Sequence, residues 1–181
     1  KSDPDKRRTD LPKRPQLPPV ATGKQAEWLT LADQHRADVD AAWAADDFGR
    51  KWIDAMAATS PEGIYPLGVQ PDDTLDFQVI RHIAQTRWAY AQLLMHDRRG
   101  DEAARVLLPM LRAHYNLQRG ATTLLPQMIA VVVLKGTYQR LEMLADAGGL
   151  SPSVRSDVAV ALREAPSLPS TFRNAFLGEQ I

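Results

Sequence analysis

The chain contains no cysteine among its 181 residues, which excludes disulfides, thiolate metal centres and cysteine nucleophiles. It carries no net charge either. Its 22 lysines and arginines balance 22 aspartates and glutamates, so the general attraction to nucleic acid or anionic lipid that a basic protein shows is absent. It lacks any run of the ~20 apolar residues that a membrane-spanning helix needs, and any useful stretch with the two-residue alternation of a half-buried strand. No Gly-x-Ser-x-Gly elbow occurs, and Gly148-Gly149 lacks the lysine and the preceding strand of a phosphate loop. The histidines His35, His82, His96 and His114 are never three or four residues apart, so a helical metal-ligating pair is missing. We therefore expect no metal and no cofactor.

What remains is helical periodicity, and the fold class it predicts is all-α. A single helical domain is expected over residues 21–181, of about six helices, a number within reach of one core at this length. Residues 1–20 read as a disordered tail or linker. They hold Pro4, Pro12, Pro15, Pro18 and Pro19, with six basic residues against three aspartates, and too little apolar surface to offset the entropy of ordering. Because the chain starts at Lys1 and not at methionine, we expect a segment ahead of it, with any membrane attachment made through that segment.

The architectural centre of the sequence is Met128–Leu134, Met-Ile-Ala-Val-Val-Val-Leu, inside a helix expected from Thr122 to Ala145. A helix apolar on every side is a core helix when it is too short to span a bilayer. Ile129, Val132 and Val133 are thus expected to be buried, and Gly136 to mark a close helix crossing. Upstream, Trp28, Ala32, His35, Val39 and Ala42 form a stripe that predicts one helix over residues 23–47. Phe48, Trp52 and Met56 predict a second short helix, or a continuation of the first bent near Gly49. Leu75–Asp97 and the segment starting at Asp101 predict two more, the latter interrupted by Pro109. Gly148-Gly149 predicts a helix end, and Ser151-Pro152 a new start. A last short helix should begin at Ser170.

The segment from Ala91, continuing through Arg99-Gly100-Asp101-Glu102-Ala103-Ala104-Arg105-Val106-Leu107-Leu108, resembles a tetratricopeptide-type helical hairpin. Ala91 and Ala103 stand where that family packs small residues across a tight turn. Met110 and Pro109 depart from the pattern, and a second copy is missing about thirty-four residues on, so the resemblance implies one hairpin and an interaction role but no solenoid. The wider order, in which a Tyr65-Pro66-Leu67-Gly68 loop precedes this hairpin and then a very apolar helix, is also similar to uncharacterised helical proteins of bacterial cell envelopes. That resemblance implies a periplasmic or membrane-anchored location.

Two functional readings follow. The first is a non-enzymatic protein-interaction or scaffold domain with a protein partner. The second is a small-ligand binder or enzyme whose cleft lies between the 60–74 loop and the helix carrying Arg87. Arg87 falls on an apolar stripe, where a cation needs a carboxylate or carbonyls, or must reach past the stripe to water. Asp54, Asp72, Asp73 and Asp76 are the acidic residues within plausible reach. Ile64 and Tyr65 would form the lip of such a cleft, with Asp73 and His114 as further polar candidates. His35 and His114, both on apolar stripes, are otherwise expected to be core residues hydrogen-bonded to neighbours, and His82 and His96 to be exposed. No residue is singled out as catalytic.

Overall fold

In the computed structural model the described residues are 25–60, 77–121 and 123–171. Every regular element among them is helical: α1 Gln25–Gln34, α2 Arg36–Ala45, α3 Asp47–Ala58, α4 Phe77–His96, α5 Gly100–Gly120, α6 Leu124–Ala147 and α7 Pro152–Arg163, followed by one helical turn at 168–171. The proline-rich tail, the segment 61–76 and the residues after Thr171 lie outside this description, and with them the expected tail and most of the expected final helix.

The helix expected over 23–47 is two helices. The chain kinks at His35, with φ −107° and ψ 25°, although the hydrogen bonds continue through the kink: His35 N donates to Leu31 O at 3.2 Å and Val39 N to His35 O at 3.0 Å. No proline or glycine announces this bend. Arg36 spans it, donating to Asp33 at 2.7 Å and, through both terminal nitrogens, to the two oxygens of Asp97 at 2.8 and 2.6 Å. The fork ties α2 to the α4–α5 turn, and it holds the Asp97 carboxyl down to about 2. His35 itself is not a core residue. Its side chain is 41% exposed, 3.6 Å from Asp38, because the kink turns it off the stripe.

The next break falls at Asp46, three residues before Gly49. The Asp46 carboxylate caps α3 by accepting from Gly49 N at 3.2 Å. A Cβ on Gly49 would lie 2.3 Å from that same oxygen, so the cap requires the glycine. Beyond it, Ile53 is fully buried while Phe48 is exposed. The far end of α3 is closed from another helix: Asn116 Nδ2 donates to the carbonyls of Met56 at 3.0 Å and Thr59 at 2.9 Å, groups that a helix terminus leaves unpaired.

α5 is the most enclosed element, packing against α3, α4, α6 and α7. Leu107, Met110, Leu111, Tyr115 and Leu117 are fully buried on it, each contributing roughly 1.5–3 kcal/mol of burial. Pro109 is accommodated within the helix. Asp101 does not cap α5; it accepts from Ser151 N at 2.8 Å and so links this helix to the start of α7. There Ser151 Oγ caps Val154 N, with Pro152 in the first turn. Gly148 ends α6 with φ 71°, the left-handed conformation that glycine adopts without cost.

α6 departs from expectation. Ile129, Ala130, Val133, Leu134 and Gly136 are buried, but Val132 is 59% exposed and Met128 52%. The helix packs against α5 and α4, leaving one face to solvent. The close crossing at Gly136 is with Trp88 of α4, whose ring carbon would lie 2.4 Å from a Cβ at that position. No helix among the described residues is long and apolar enough to cross a membrane.

Candidate functional site

Helices α2, α3, α4 and α5 frame a cleft of about 370 Å³ around Arg87. Trp43 of α2 stacks on Tyr90 of α4 with centroids 4.3 Å apart and planes 8° from parallel. Arg50 and Arg87 both lie over the Trp43 ring, at 5.3 and 5.5 Å, within cation–π range. Arg50 also donates to the Trp43 carbonyl. Arg87 is 3% exposed, so it does not reach past the stripe to water. One terminal nitrogen donates to Gly49 O at 3.3 Å, while its Nε has no acceptor among the described residues. Burial depresses its pKa, opposed first by the charge of Asp46 and then by that of Asp54. Asp46 is the mirror image: burial raises its pKa, and the Arg87 charge and the Gly49 N–H resist. In the sequence Asp46 falls in an acidic cluster with Asp47 and Asp54, a pattern more often explained by solvation of a helix end than by a buried charge. Arg105, Glu102 and Asp54 complete a rim of mixed sign. Such a cleft can hold and orient a small polar molecule.

His114 sits on α5 and lines no part of that cleft. It is almost wholly buried, its Nδ1 donates to Met110 O at 2.8 Å, and the Trp52 ring meets it edge-on at 6.5 Å. Burial pushes its pKa down to about 4, so at neutral pH it is an uncharged core residue. Ile64, Tyr65 and Asp73, with Asp72 and Asp76, lie outside the described residues, and so does the loop half of the expected cleft. His96 is exposed, and His82 is half-buried. Among the described residues no group of histidines and carboxylates could hold a metal ion.

Two further features went unread in the sequence. The first is the open face of α6, where Leu125, Met128 and Val132 are 54%, 52% and 59% exposed; their spacing of three and four places them on one side of the helix. The second is Arg140. It follows Val133 and Gly136 by seven and four residues, so the helical period itself places it on the buried side. Its guanidinium lies 4.6 Å from the ring centres of both Trp28 and Trp88. In sequence it reads only as a charge closing an apolar run. No protein-family model matches the chain, and no match to a curated protein or a solved structure is found.

Proposed function

We propose that this chain is a non-enzymatic helical interaction domain, a compact bundle that docks a protein partner on the open face of α6. The observation that carries the reading is the exposed Leu125–Met128–Val132 row, three large apolar side chains one turn apart. Exposed apolar residues scattered singly, such as Phe48 and Leu168, are ordinary; a row on one helix face is the pattern that a partner's apolar surface engages. The α4–α5 hairpin supports the tetratricopeptide-like part of the reading. Ala91 and Ala103 are both fully buried at its turn, where small residues permit close helix approach. Tethering at a bacterial membrane belongs to the same proposal, resting on the envelope resemblance.

A photo-crosslinking residue at Met128, expressed in the native cell, tests it, with exposed Arg155 on α7 as the control position. We expect a discrete intermolecular adduct from position 128 alone, abolished by Leu125→Glu at unchanged melting temperature. An intrachain adduct, or equal labelling from both positions, refutes the reading. The second reading, a small-ligand binder at the Arg87 cleft, is favoured by the buried Nε of Arg87, which lacks an acceptor among the described residues. Co-purification of a small molecule that is lost in Arg50→Ala would establish it.

A further inference from the structure

Arg140 presents a problem that Arg87 does not. Both are 3% exposed, but Arg87 lies in the field of two aspartates. For Arg140, burial alone sets the shift, lowering its pKa to about 10 and leaving it protonated at neutral pH. One terminal nitrogen donates to Gly136 O at 3.0 Å, and Nε has no acceptor among the described residues. The Trp28 and Trp88 ring centres both lie 4.6 Å from the guanidinium carbon, within cation–π range, and neither ring offers Nε a hydrogen-bond acceptor. A buried cation whose donors remain unmatched is costly.

That side chain lines a groove of about 360 Å³ between α4 and α6, in the lower part of the range for small-molecule sites. Arg81 and Lys135 stand exposed at its mouth, and no carboxylate is among the described residues that line it. The remaining wall is largely apolar, with Trp88, Val132 and Val133 prominent. Trp88 is held in place, its Nε1 donating to Thr137 Oγ1 at 3.1 Å and its ring resting where Gly136 has no side chain. Three cations, one of them with an unpartnered Nε, and a fixed apolar wall thus share one small groove.

The geometry points to a binding site for an apolar monocarboxylate, its head at the Arg140 guanidinium, whose Nε lacks an acceptor among the described residues, and its body along Trp88 and Val132. A carboxylate matches the two-donor edge of a guanidinium. Free phosphate fits less well, since it leaves the apolar wall unused. The inference does not rest on the α6 docking face: it needs the arginines and Lys135, docking needs Leu125 and Met128, and the two share only Val132.

The test is titration of the full chain, followed by calorimetry and by the indole N–H signals, with decanoate, decanol, decyltrimethylammonium and inorganic phosphate below micellar concentrations. We expect decanoate to bind one to one and shift the Trp88 indole signal. Decanol should bind about tenfold more weakly or worse, the cost of one charge-assisted contact, and decyltrimethylammonium and phosphate should not bind. Lys135→Glu and Arg81→Glu, both at exposed positions, should each weaken decanoate several-fold at unchanged melting temperature. Arg140→Met should erase the preference for decanoate over decanol; if that variant does not fold, the two rim variants decide. Equal binding of decanoate and decanol, indifference to both rim variants, phosphate binding as tight as decanoate, or no binding at millimolar ligand would each overturn the assignment.

Discussion

Gly136→Ala sets two effects of opposite sign against each other. In an unconstrained helix interior the change stabilises by about 1 kcal/mol, because alanine loses less backbone freedom on folding. Here the new methyl carbon would lie 2.4 and 2.5 Å from two ring carbons of Trp88, well inside van der Waals contact. A flexible side-chain end could swing clear; this ring cannot do so cheaply. It is 7% exposed, bonded through Nε1 to Thr137, and stacked on Arg140. Displacing it by the ångström or so required would stretch that hydrogen bond and part of the cation–π contact. Overpacking of this kind costs ~1–3 kcal/mol, and the loss of one buried hydrogen bond adds ~1 kcal/mol. The balance is a destabilisation of roughly 1–3 kcal/mol. Urea unfolding followed by tryptophan fluorescence measures it as a lower midpoint at unchanged slope. A midpoint equal to or above the parent's would refute the close crossing of α4 and α6, and with it the geometry of the Arg140 groove.

The exposure difference on α6 predicts unequal costs three residues apart: Ile129→Ala should destabilise by ~2–5 kcal/mol, and Val132→Ala by under about 0.5 kcal/mol, read from the same midpoints. Arg87→Met should cost ~1–3 kcal/mol by removing the charged donor to Gly49 O and the positive charge that most opposes the effect of burial on Asp46; an unchanged midpoint would show that Arg87 contributes nothing net. His114 gives a pH dependence. Its pKa falls from an unfolded value near 6.5 to about 4 in the fold, so between those values the unfolded chain binds the extra proton and stability is lost as pH drops, by up to ~3 kcal/mol. Asp46, with its raised pKa, acts in the opposite direction, so the comparison must be made with His114→Gln, which should flatten the profile between pH 6.5 and 4. A variant as acid-sensitive as the parent would refute this account of His114.

The helices were legible wherever a local signal sets them. Ser151-Pro152 starts α7 and Gly148 ends α6 because capping and φ preference act within a few residues. The kink at His35 was not legible, because the Arg36 fork that spans it reaches Asp97, sixty-one residues away in sequence. Asp46 was legible only in part, for a similar reason: its local role as a cap can be seen in Asp-x-x-Gly, but the charge of Arg87 that acts on it comes from α4. Of the proposed site residues, Arg87 was identified from periodicity, since a cation on an apolar stripe stands out. Arg140 obeys the same rule and was overlooked because the run before it drew the reading toward hydrophobicity in place of phase.

The exposed face of α6 follows from that point. A run such as Met128–Leu134 fixes that the helix is apolar in all directions; it does not fix how many neighbours the fold can supply. α5 takes one side and α4 another, and between them they account for the burial of Ile129, Ala130, Val133 and Leu134. Met128 and Val132 lie outside those contacts and stay more than half exposed, Val132 at the edge of the groove beside α4. Had the role of this helix been only to fill a core, glutamate or lysine at 128 and 132 would have served as well there and improved solubility. The sequence instead places charge at Lys135, Arg140 and Arg81, where the groove is, and keeps 125, 128 and 132 apolar. The two surfaces meet at Val132, a lining residue of the groove and a member of the exposed row. If both proposals hold, a ligand held against Val132 would change the edge of the surface that a partner meets, so occupancy of the groove and docking on α6 would be coupled through that one side chain. Val132→Ala should weaken such coupling while leaving each binding event in place.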